Sequence, residues 1–114
     1  MWYHLFVIEL RQYIDRSGRS PFERWFGQLN QHARARVSVA LARVRNGNLS
    51  IAKGVGAGVY ELRLDFGPGY RVYFGKDGET LVILLGGGTK KRQQTDIQRA
   101  QSLWQEYKDQ KREE

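Results

Sequence analysis

The chain of 114 residues contains no cysteine. This absence excludes disulfides, thiolate nucleophiles and cysteine-ligated zinc, and it suits the reducing cytoplasm, where we expect the protein to work. Histidine is also scarce, because His4 and His32 are the only two and stand far apart. Such a pair does not indicate a metal site. We therefore expect no metal and no small-molecule cofactor.

Long apolar runs are missing as well. The N-terminal segment MWYHLFVIELRQY is short and mixed and lacks a basic flank, so we expect neither a signal peptide nor a membrane span there, and no membrane partner. Internal repeats and linkers are not visible either. A chain of this length fits a single domain, residues 1–114, with one modest core.

Acidic residues are too few to balance the basic ones. There are 12 Asp and Glu against 19 Lys and Arg, which gives a formal charge of +7 and a pI near 10. Hydrophobic residues make up 40% of the chain, so it should fold rather than stay disordered. The excess of positive charge favours a polyanionic partner: nucleic acid, a ribosome, an acidic protein or an anionic membrane.

The apolar patterns predict an α+β fold with the order β-α-α-β-β-β-α. The predicted strands are one within 3–14, two within 59–75, and one at 81–85 that is covered on both faces. The predicted helices are one that begins at Ser20-Pro21 with Ser20 as its cap, one at about 31–46 with Asn30 as its candidate cap, and one from 92–95 to 108, each with an apolar stripe. The last three strands should form an antiparallel meander with helices on one face of the sheet. Residues 53–58 are interpreted as a glycine-rich lead into the meander, and 109–114 as a frayed tail.

The segment VYELRLDFGPGYRVYFG at 59–75 is the most informative of the chain. Its alternation places apolar side chains on one face, and arginines, acids and Tyr73 on the other. A three-residue turn would set Asp65 opposite Arg71 and Arg63 opposite Tyr73, with a positive φ at Gly69. With helices on the apolar face, the polar face would be exposed or only partly covered.

Four segments together resemble a known family. ELRLDFGPGYRVYF, LLGGGTKK, DIQRAQSLW and the helical hairpin RARVSVALARVRNGN are similar to RelE/ParE-superfamily toxins of type II toxin–antitoxin systems. The similarity is closest to the HigB-like subgroup, also called addiction module killer proteins. It implies a RelE-like fold, a small antiparallel sheet with helices packed on one side. It also implies a cognate antitoxin, which in the HigB-like arrangement is a small helix-turn-helix protein.

The resemblance implies one of several activities. RelE-type and HigB-type members cut mRNA in the ribosomal A site, whereas ParE-type members poison DNA gyrase through protein contact. A third alternative is an inactive toxin that serves only as a co-repressor with its antitoxin. Fold does not choose among these. The basic composition suits the phosphate-dense ribosome, so we expect a ribosome-dependent mRNA endoribonuclease that inhibits translation.

The resemblance also assigns the catalytic residues. Arg71 of the GYR element corresponds to the arginine that contacts the scissile phosphate region, and Arg63 matches the second basic residue of the preceding strand. The basic residue after the glycine-ended strand falls on Lys90 or Lys91. Arginine binds phosphate oxygens in pairs and keeps its charge, while lysine serves as a point charge or a tuned acid or base.

Four further residues are candidates for RNA contact. Tyr73 would stack on a base, or else simply cover the sheet. Arg92 continues the basic segment that begins at Lys90. Arg34 and Arg43 lie on the polar side of the second predicted helix, where they would contact RNA or form a solvated helix face.

The sequence does not identify the general base. The catalytic tyrosine of some RelE members has no counterpart, because Ile97 falls at about that position, and no histidine lies near it. Glu61 stands where the family has a basic residue. Glu61 and Asp65 would each act as a base or pair with an arginine, and Arg71 would then pair with Asp65 across the hairpin.

Overall fold

A computed structural model describes residues 7–114. The elements are β1 (Glu9–Gln12), α1 (Pro21–Gly27), α2 (Gln31–Arg45), β2 (Ala52–Gly56), β3 (Val59–Leu64), β4 (Tyr70–Asp77), β5 (Leu81–Thr89), a single 3₁₀ turn (Lys90–Arg92) and α3 (Gln93–Glu113). Within the described part the fold is α+β. Residues 3–6 of the predicted opening strand lie outside the described residues.

The five strands form one mixed sheet in the order β1-β5-β4-β3-β2. The predicted antiparallel meander is present as β3-β4-β5. The expectation of a wholly antiparallel sheet is wrong, because β1 joins the far side of β5 in parallel. The strand β2 was not predicted, because its sequence AKGVG is rich in glycine and lacks β-branched alternation. Backbone pairing with the free edge of β3 supplies what its side chains do not.

Helices cover both faces of the sheet, so the prediction that they pack on one face is wrong. On the first face, Phe22 of α1 and Val37 of α2 pack with sheet residues such as Leu62. On the second face, Leu103 and Trp104 of α3 join a separate cluster. Its sheet residues are Val59, Tyr73, Ile83 and Leu85. These apolar side chains on the second face can be buried only if another element packs over them, and α3 is that element. The expected burial of the strand at 81–85 from both sides is thereby confirmed.

The register of the β3–β4 hairpin differs from the prediction by two residues. Arg63 lies opposite Arg71, and Glu61 lies opposite Tyr73. The loop is longer because hydrogen bonds inside it, from Phe66 N–H to the Leu64 carbonyl and from Gly69 N–H to the Phe66 carbonyl, occupy groups that a tighter ladder would pair. A shift of two keeps each side chain on its predicted face. The positive φ of Gly69, 75°, is confirmed.

The helices begin where the capping signals predicted. The Ser20 hydroxyl accepts from the Glu23 N–H at 3.0 Å, and the Asn30 side chain accepts from the Ala33 N–H at 2.8 Å. The last helix continues to Glu113, well beyond residue 108. Its distal half is tied to the β4–β5 turn by contacts to Asp77, which Tyr107 contacts through a hydrogen bond of 2.5 Å. No helix within residues 7–114 has the length and apolarity needed to cross a membrane.

Candidate active site

A fully buried carboxylate, Glu61, lies at the centre of the polar face of β3 and β4. It accepts a hydrogen bond of 2.8 Å from Arg63 Nε and hydrogen bonds of 2.8 and 3.0 Å from Gln93 Nε2, on the first turn of α3. Arg71 Nε lies 3.8 Å from the same carboxylate. We call Glu61, Arg63, Arg71 and Gln93 the arginine–carboxylate cluster.

The environment keeps Glu61 ionised. Burial acts to raise the pKa of this carboxyl, but the hydrogen bonds from Arg63 and Gln93 and the nearby positive charge outweigh burial, so the pKa lies below its usual value. A general base works best with a pKa near the operating pH and within reach of substrate. A buried, low-pKa carboxylate meets neither condition, so the structure assigns Glu61 to holding the arginines.

Arg71 is held more tightly than an ordinary surface arginine. Only 5% of the residue is exposed, its Nη1 donates to the carbonyls of Gly69 and Tyr70 at 3.1 and 3.2 Å, and its Nε faces Glu61. Its Nη2 donates no hydrogen bond to a described residue and is not among the fully buried polar atoms, whereas its Nε is buried without a hydrogen-bond partner among the described residues. One corner of the guanidinium is therefore left for a ligand.

The hairpin loop brings Lys90 to the same place. The Lys90 N–H donates to the Gly69 carbonyl at 2.9 Å. A β-carbon built on Gly69 would lie 3.1 Å from Lys90 Cβ and 3.4 Å from Arg71 Nη1, so the two basic side chains flank this glycine. Lys90 and Lys91 are exposed. Three of the four predicted catalytic residues, Arg63, Arg71 and Lys90, are thus brought together by the fold.

The predicted ion pair between Arg71 and Asp65 is absent, because the register places Arg63 opposite Arg71 and leaves Asp65 in the exposed loop. Glu61, two positions earlier on the same face of the hairpin, becomes the partner of Arg71. Asp65 is not in an ion pair with any described residue. The acidic partner of Arg71 is therefore Glu61, and not Asp65 as the predicted three-residue turn implied.

Tyr73 cannot stack on a base in this structure, because only 1% of it is exposed. The ring lies under α3, in the same cluster as Ala100 and Leu103. Burial, with the negative charge of Glu61, raises the pKa of Tyr73 above its ordinary value. Its hydroxyl is buried and has no hydrogen-bond partner among the described residues. The open polar face that motivated the stacking prediction is covered by α3.

A cleft of about 430 Å³ opens between α1, the end of β5 and the start of α3. Its lining includes three arginines, Arg24, Arg92 and Arg99, and one acid, Asp96. Trp25 forms a wall, the glycines 86–88 lie on the strand side, and Tyr73 is part of the lining. We call this feature the α1–α3 cleft.

Sequence reasoning identified only Arg92 and Tyr73 in the α1–α3 cleft. Arg92, Asp96 and Arg99 stand at i, i+4 and i+7, the spacing of one helix face, and that signal was available. Arg24 and Trp25 reach the cleft only because α1 packs beside β5. No local pattern in the sequence shows that contact.

The α2 arginines lie in the other layer of the molecule. Arg34 Nη1 donates to the Leu29 carbonyl at 2.9 Å and to the Gly27 carbonyl at 3.4 Å, so this side chain closes the end of α1. Arg43 is exposed on α2. Because α2 covers the first sheet face, neither residue joins the arginine–carboxylate cluster.

Metal ligation finds no support in residues 7–114, where no group of three or more His, Cys, Asp or Glu side chains could hold an ion. The candidate residues themselves offer cations held by hydrogen bonds, such as Arg63 at Glu61 and Arg71 at the Gly69 and Tyr70 carbonyls. Guanidinium groups held in place by a buried carboxylate are suited to binding a phosphate and stabilising its negative charge.

Comparison with known proteins places the chain in a family. Residues 24–108 match the family described as phage derived protein Gp49-like (DUF891). The chain is also 43% identical over 86 residues to an uncharacterized protein of Haemophilus influenzae, covering 75% of this chain and 87% of that protein. The matched region contains α2, the whole meander and most of α3. The chain belongs to the Gp49-like family, which is part of the RelE/HigB-like toxin superfamily.

Proposed function

We propose that this protein is a toxin that cleaves mRNA on the ribosome and so inhibits translation. Its family is associated with the toxins of toxin–antitoxin systems, which implies a cognate antitoxin. The observation that carries the proposal is the grouping of Arg63 and Arg71 around one buried carboxylate, with Lys90 beside Arg71 at Gly69. Beyond the family association, we propose the reaction itself, the ribosome as the place where it occurs, and a helix-turn-helix protein of the HigB-like kind as the antitoxin.

The reaction would use the 2′-hydroxyl of the RNA as nucleophile on the adjacent phosphorus. The new P–O bond forms, the bond to the 5′-oxygen of the next nucleotide breaks, and negative charge builds on the non-bridging oxygens. Arg63 has both Nη groups free of described hydrogen bonds, and Arg71 has its Nη2. These groups would stabilise that charge with little reorganisation, because Glu61 accepts a hydrogen bond from Arg63 Nε and the carbonyls of Gly69 and Tyr70 accept hydrogen bonds from Arg71 Nη1.

Lys90 and Lys91 would add point charges beside the phosphate. Both are exposed at the start of the 3₁₀ turn. A lysine here can also protonate the leaving 5′-oxygen. Arg92 and Arg43 would contact RNA at a greater distance from the scissile bond. Arg34, whose side chain reaches from α2 to the end of α1, would contact RNA there. The proposal assigns no residue of the chain as the base that removes the proton of the 2′-hydroxyl.

The test compares Arg71→Ala with Arg45→Ala, an exposed arginine on α2. We expect Arg71→Ala to lose growth inhibition and about 100-fold or more in cleavage rate, the usual cost of removing one donor to a developing oxyanion. Arg45→Ala should behave like the parent. Both variants should give cooperative thermal unfolding. A folded Arg71→Ala protein that still stops growth contradicts the proposal, and gyrase-linked DNA breaks in such cells would favour a gyrase-directed toxin.

A further inference from the structure

Gln93 is the one uncharged side chain of the arginine–carboxylate cluster. Its Nε2 lies 2.8 Å from Glu61 Oε2 and 3.0 Å from Glu61 Oε1. Arg63 Nε donates to Oε1 alone, at 2.8 Å, and Arg71 Nε lies 3.8 Å from that same oxygen. Within residues 7–114, Gln93 is therefore the one residue that donates a hydrogen bond to Glu61 Oε2.

No other described donor can replace the Gln93 amide. The Glu61 side chain is fully buried, and the hydroxyl of Tyr73, opposite it on β4, is buried without a hydrogen-bond partner among the described residues. A buried carboxylate oxygen without a donor is costly, because the charge has lost its hydration. Loss of the amide would thus favour the protonated form of Glu61, which attracts Arg63 and Arg71 less strongly.

Gln93 also ties down the segment that carries the two lysines. It opens α3 directly after the 3₁₀ turn Lys90–Arg92, and no side chain caps either the turn or the helix. At one end of the turn, the Lys90 N–H donates to the Gly69 carbonyl at 2.9 Å. At the other end, Gln93 donates to Glu61. The turn is thereby attached to the β3–β4 hairpin at both ends.

We propose that Gln93 is a positioning residue, which binds both oxygens of the Glu61 carboxylate and through it holds Arg63 and Arg71 ready to receive a phosphate group. With Arg63 Nε bound to Oε1, both Nη atoms of Arg63 remain available to the ligand. A glutamine suits this place because its amide donates without adding charge. The effect on phosphate chemistry rests on the proposed function, whereas the effect on Glu61 and Arg63 does not.

Gln101 provides a matched control on the same helix. Its Nε2 donates to the Val55 carbonyl of β2 at 3.0 Å. Both glutamines are partly buried and both tie α3 to the sheet, but Gln101 donates to a backbone carbonyl outside the cluster. An effect at position 93 that is absent at position 101 therefore separates the positioning of Glu61 from the anchoring of α3.

The first experiment follows Glu61 in the purified full-length chain, without ribosomes. Carbon-13 NMR of labelled glutamate side chains measures the carboxyl pKa, and Glu61→Gln identifies the signal. We expect Gln93→Leu to raise the pKa of Glu61, so that it binds a proton about tenfold more tightly or more, and Gln101→Leu to leave it unchanged. The Arg63 Nε–H should also exchange faster with water in Gln93→Leu. Equal Glu61 pKa values in the parent and a folded Gln93→Leu overturn the proposal.

Gln93→Glu is a second variant, which keeps the shape of the side chain. It sets a second carboxyl against Glu61, so burial and the like charge raise one pKa of the pair. Once the pair has taken up one proton, the protonated carboxyl can donate to the other, and the pair carries a single negative charge, as Glu61 does beside Gln93. The other charged or titratable groups near this pair are Arg63 of β3, Arg71 and Tyr73 of β4, Lys53 of β2, which lies opposite Glu61, and Asp96 on the first turn of α3.

Cleavage of mRNA on purified ribosomes is then measured between pH 6 and pH 8. We expect Gln93→Glu to lose about tenfold or more relative to the parent at pH 8, and to regain most of that loss at pH 6, where the pair is protonated. Gln101→Glu should show neither the loss nor the recovery. A glutamine that only anchors α3 would give a loss that does not reverse with pH, and that result overturns the proposal. Where Gln93→Leu does not fold, this recovery decides.

The two readouts separate this inference from the proposed function. A parent protein that cuts no mRNA, together with a raised Glu61 pKa in Gln93→Leu, rejects the nuclease and keeps the role of Gln93 at Glu61. A parent protein that cuts mRNA, together with a Glu61 pKa that Gln93→Leu does not change, retains the nuclease and rejects the positioning role.

Discussion

Glu61 decides the chemistry of the arginine–carboxylate cluster at the scale of single residues. It is buried, ionised and bonded to Arg63 and Gln93, with Arg71 Nε at 3.8 Å. The carboxylate thus links β3, β4 and the first turn of α3. Removing it would leave Arg71 as a buried cation without its counter-charge, which is a costly state in a protein interior.

Glu61→Gln should lower stability and weaken its pH dependence. The pKa of Glu61 is lowered on folding, so its ionisation contributes stability that is present above the unfolded-state pKa of about 4.3 and is lost as pH falls through the lower folded-state pKa. At pH 7 the variant should lose about 1–3 kcal/mol. The measurement is thermal unfolding at pH 7 and pH 3.5, with Asp65→Asn as an exposed control. An equal pH dependence in parent and Glu61→Gln contradicts this role.

Some residues of the site could be predicted from the sequence, and others could not. The two-residue period of the hairpin placed Arg63 and Arg71 on one face, and the resemblance added Lys90. The exposure of Tyr73 was misjudged because hairpin alternation does not show which helix covers a face. Arg24 and Asp96 were missed because their meeting depends on the packing of α1 and α3 around β5.

The packing of α3 on the second sheet face is the main structural feature at the scale of elements. Trp104 lies over Gly75 of β4, where a β-carbon would come within 2.4 Å of the indole ring. The ring also stacks on Tyr107, with centroids 5.0 Å apart. The close approach requires glycine at this position, because any larger residue displaces the helix or the ring.

Gly75→Ala should therefore destabilise the protein by about 1–3 kcal/mol through overpacking. The matched control is Gly54→Ala in β2, where a β-carbon would meet no atom within 4 Å and the φ is not positive. Urea unfolding of both variants measures the difference. Equal midpoints for the two variants would show that α3 does not pack on β4 as described.

Sequence signals were strongest for the helices and weakest for the layers. Caps at Ser20 and Asn30 and apolar stripes located α1 and α2 because these signals are local. The strand β2 depends on pairing with the edge of β3. The position of α3 depends on the apolar side chains of the second sheet face, which include Ile83 and Leu85 and come from other elements of the chain. The last turns of α3, beyond residue 108, were missed for the same reason, because they are held by contacts to Asp77 in the β4–β5 region.

At the scale of the whole molecule, two cationic features lie on the α3 side of the sheet. The arginine–carboxylate cluster lies toward β3 and β4, and the α1–α3 cleft lies toward the end of β5. The first groups arginines that are suited to binding a phosphate, and the second is a concave surface whose lining includes Arg24, Arg92 and Arg99. A formal charge of +7 would attract the protein to a polyanion such as the ribosome.

The most direct test of the central claim is the mapping of mRNA 5′ ends after expression of the protein, with translation active and with translation blocked. The account predicts new 5′ ends within translated codons, which disappear when translation is blocked and are absent with Arg71→Ala. Growth arrest by the wild-type protein without new mRNA ends would contradict it. Identical ends with and without translation would contradict the ribosome as the site of cleavage.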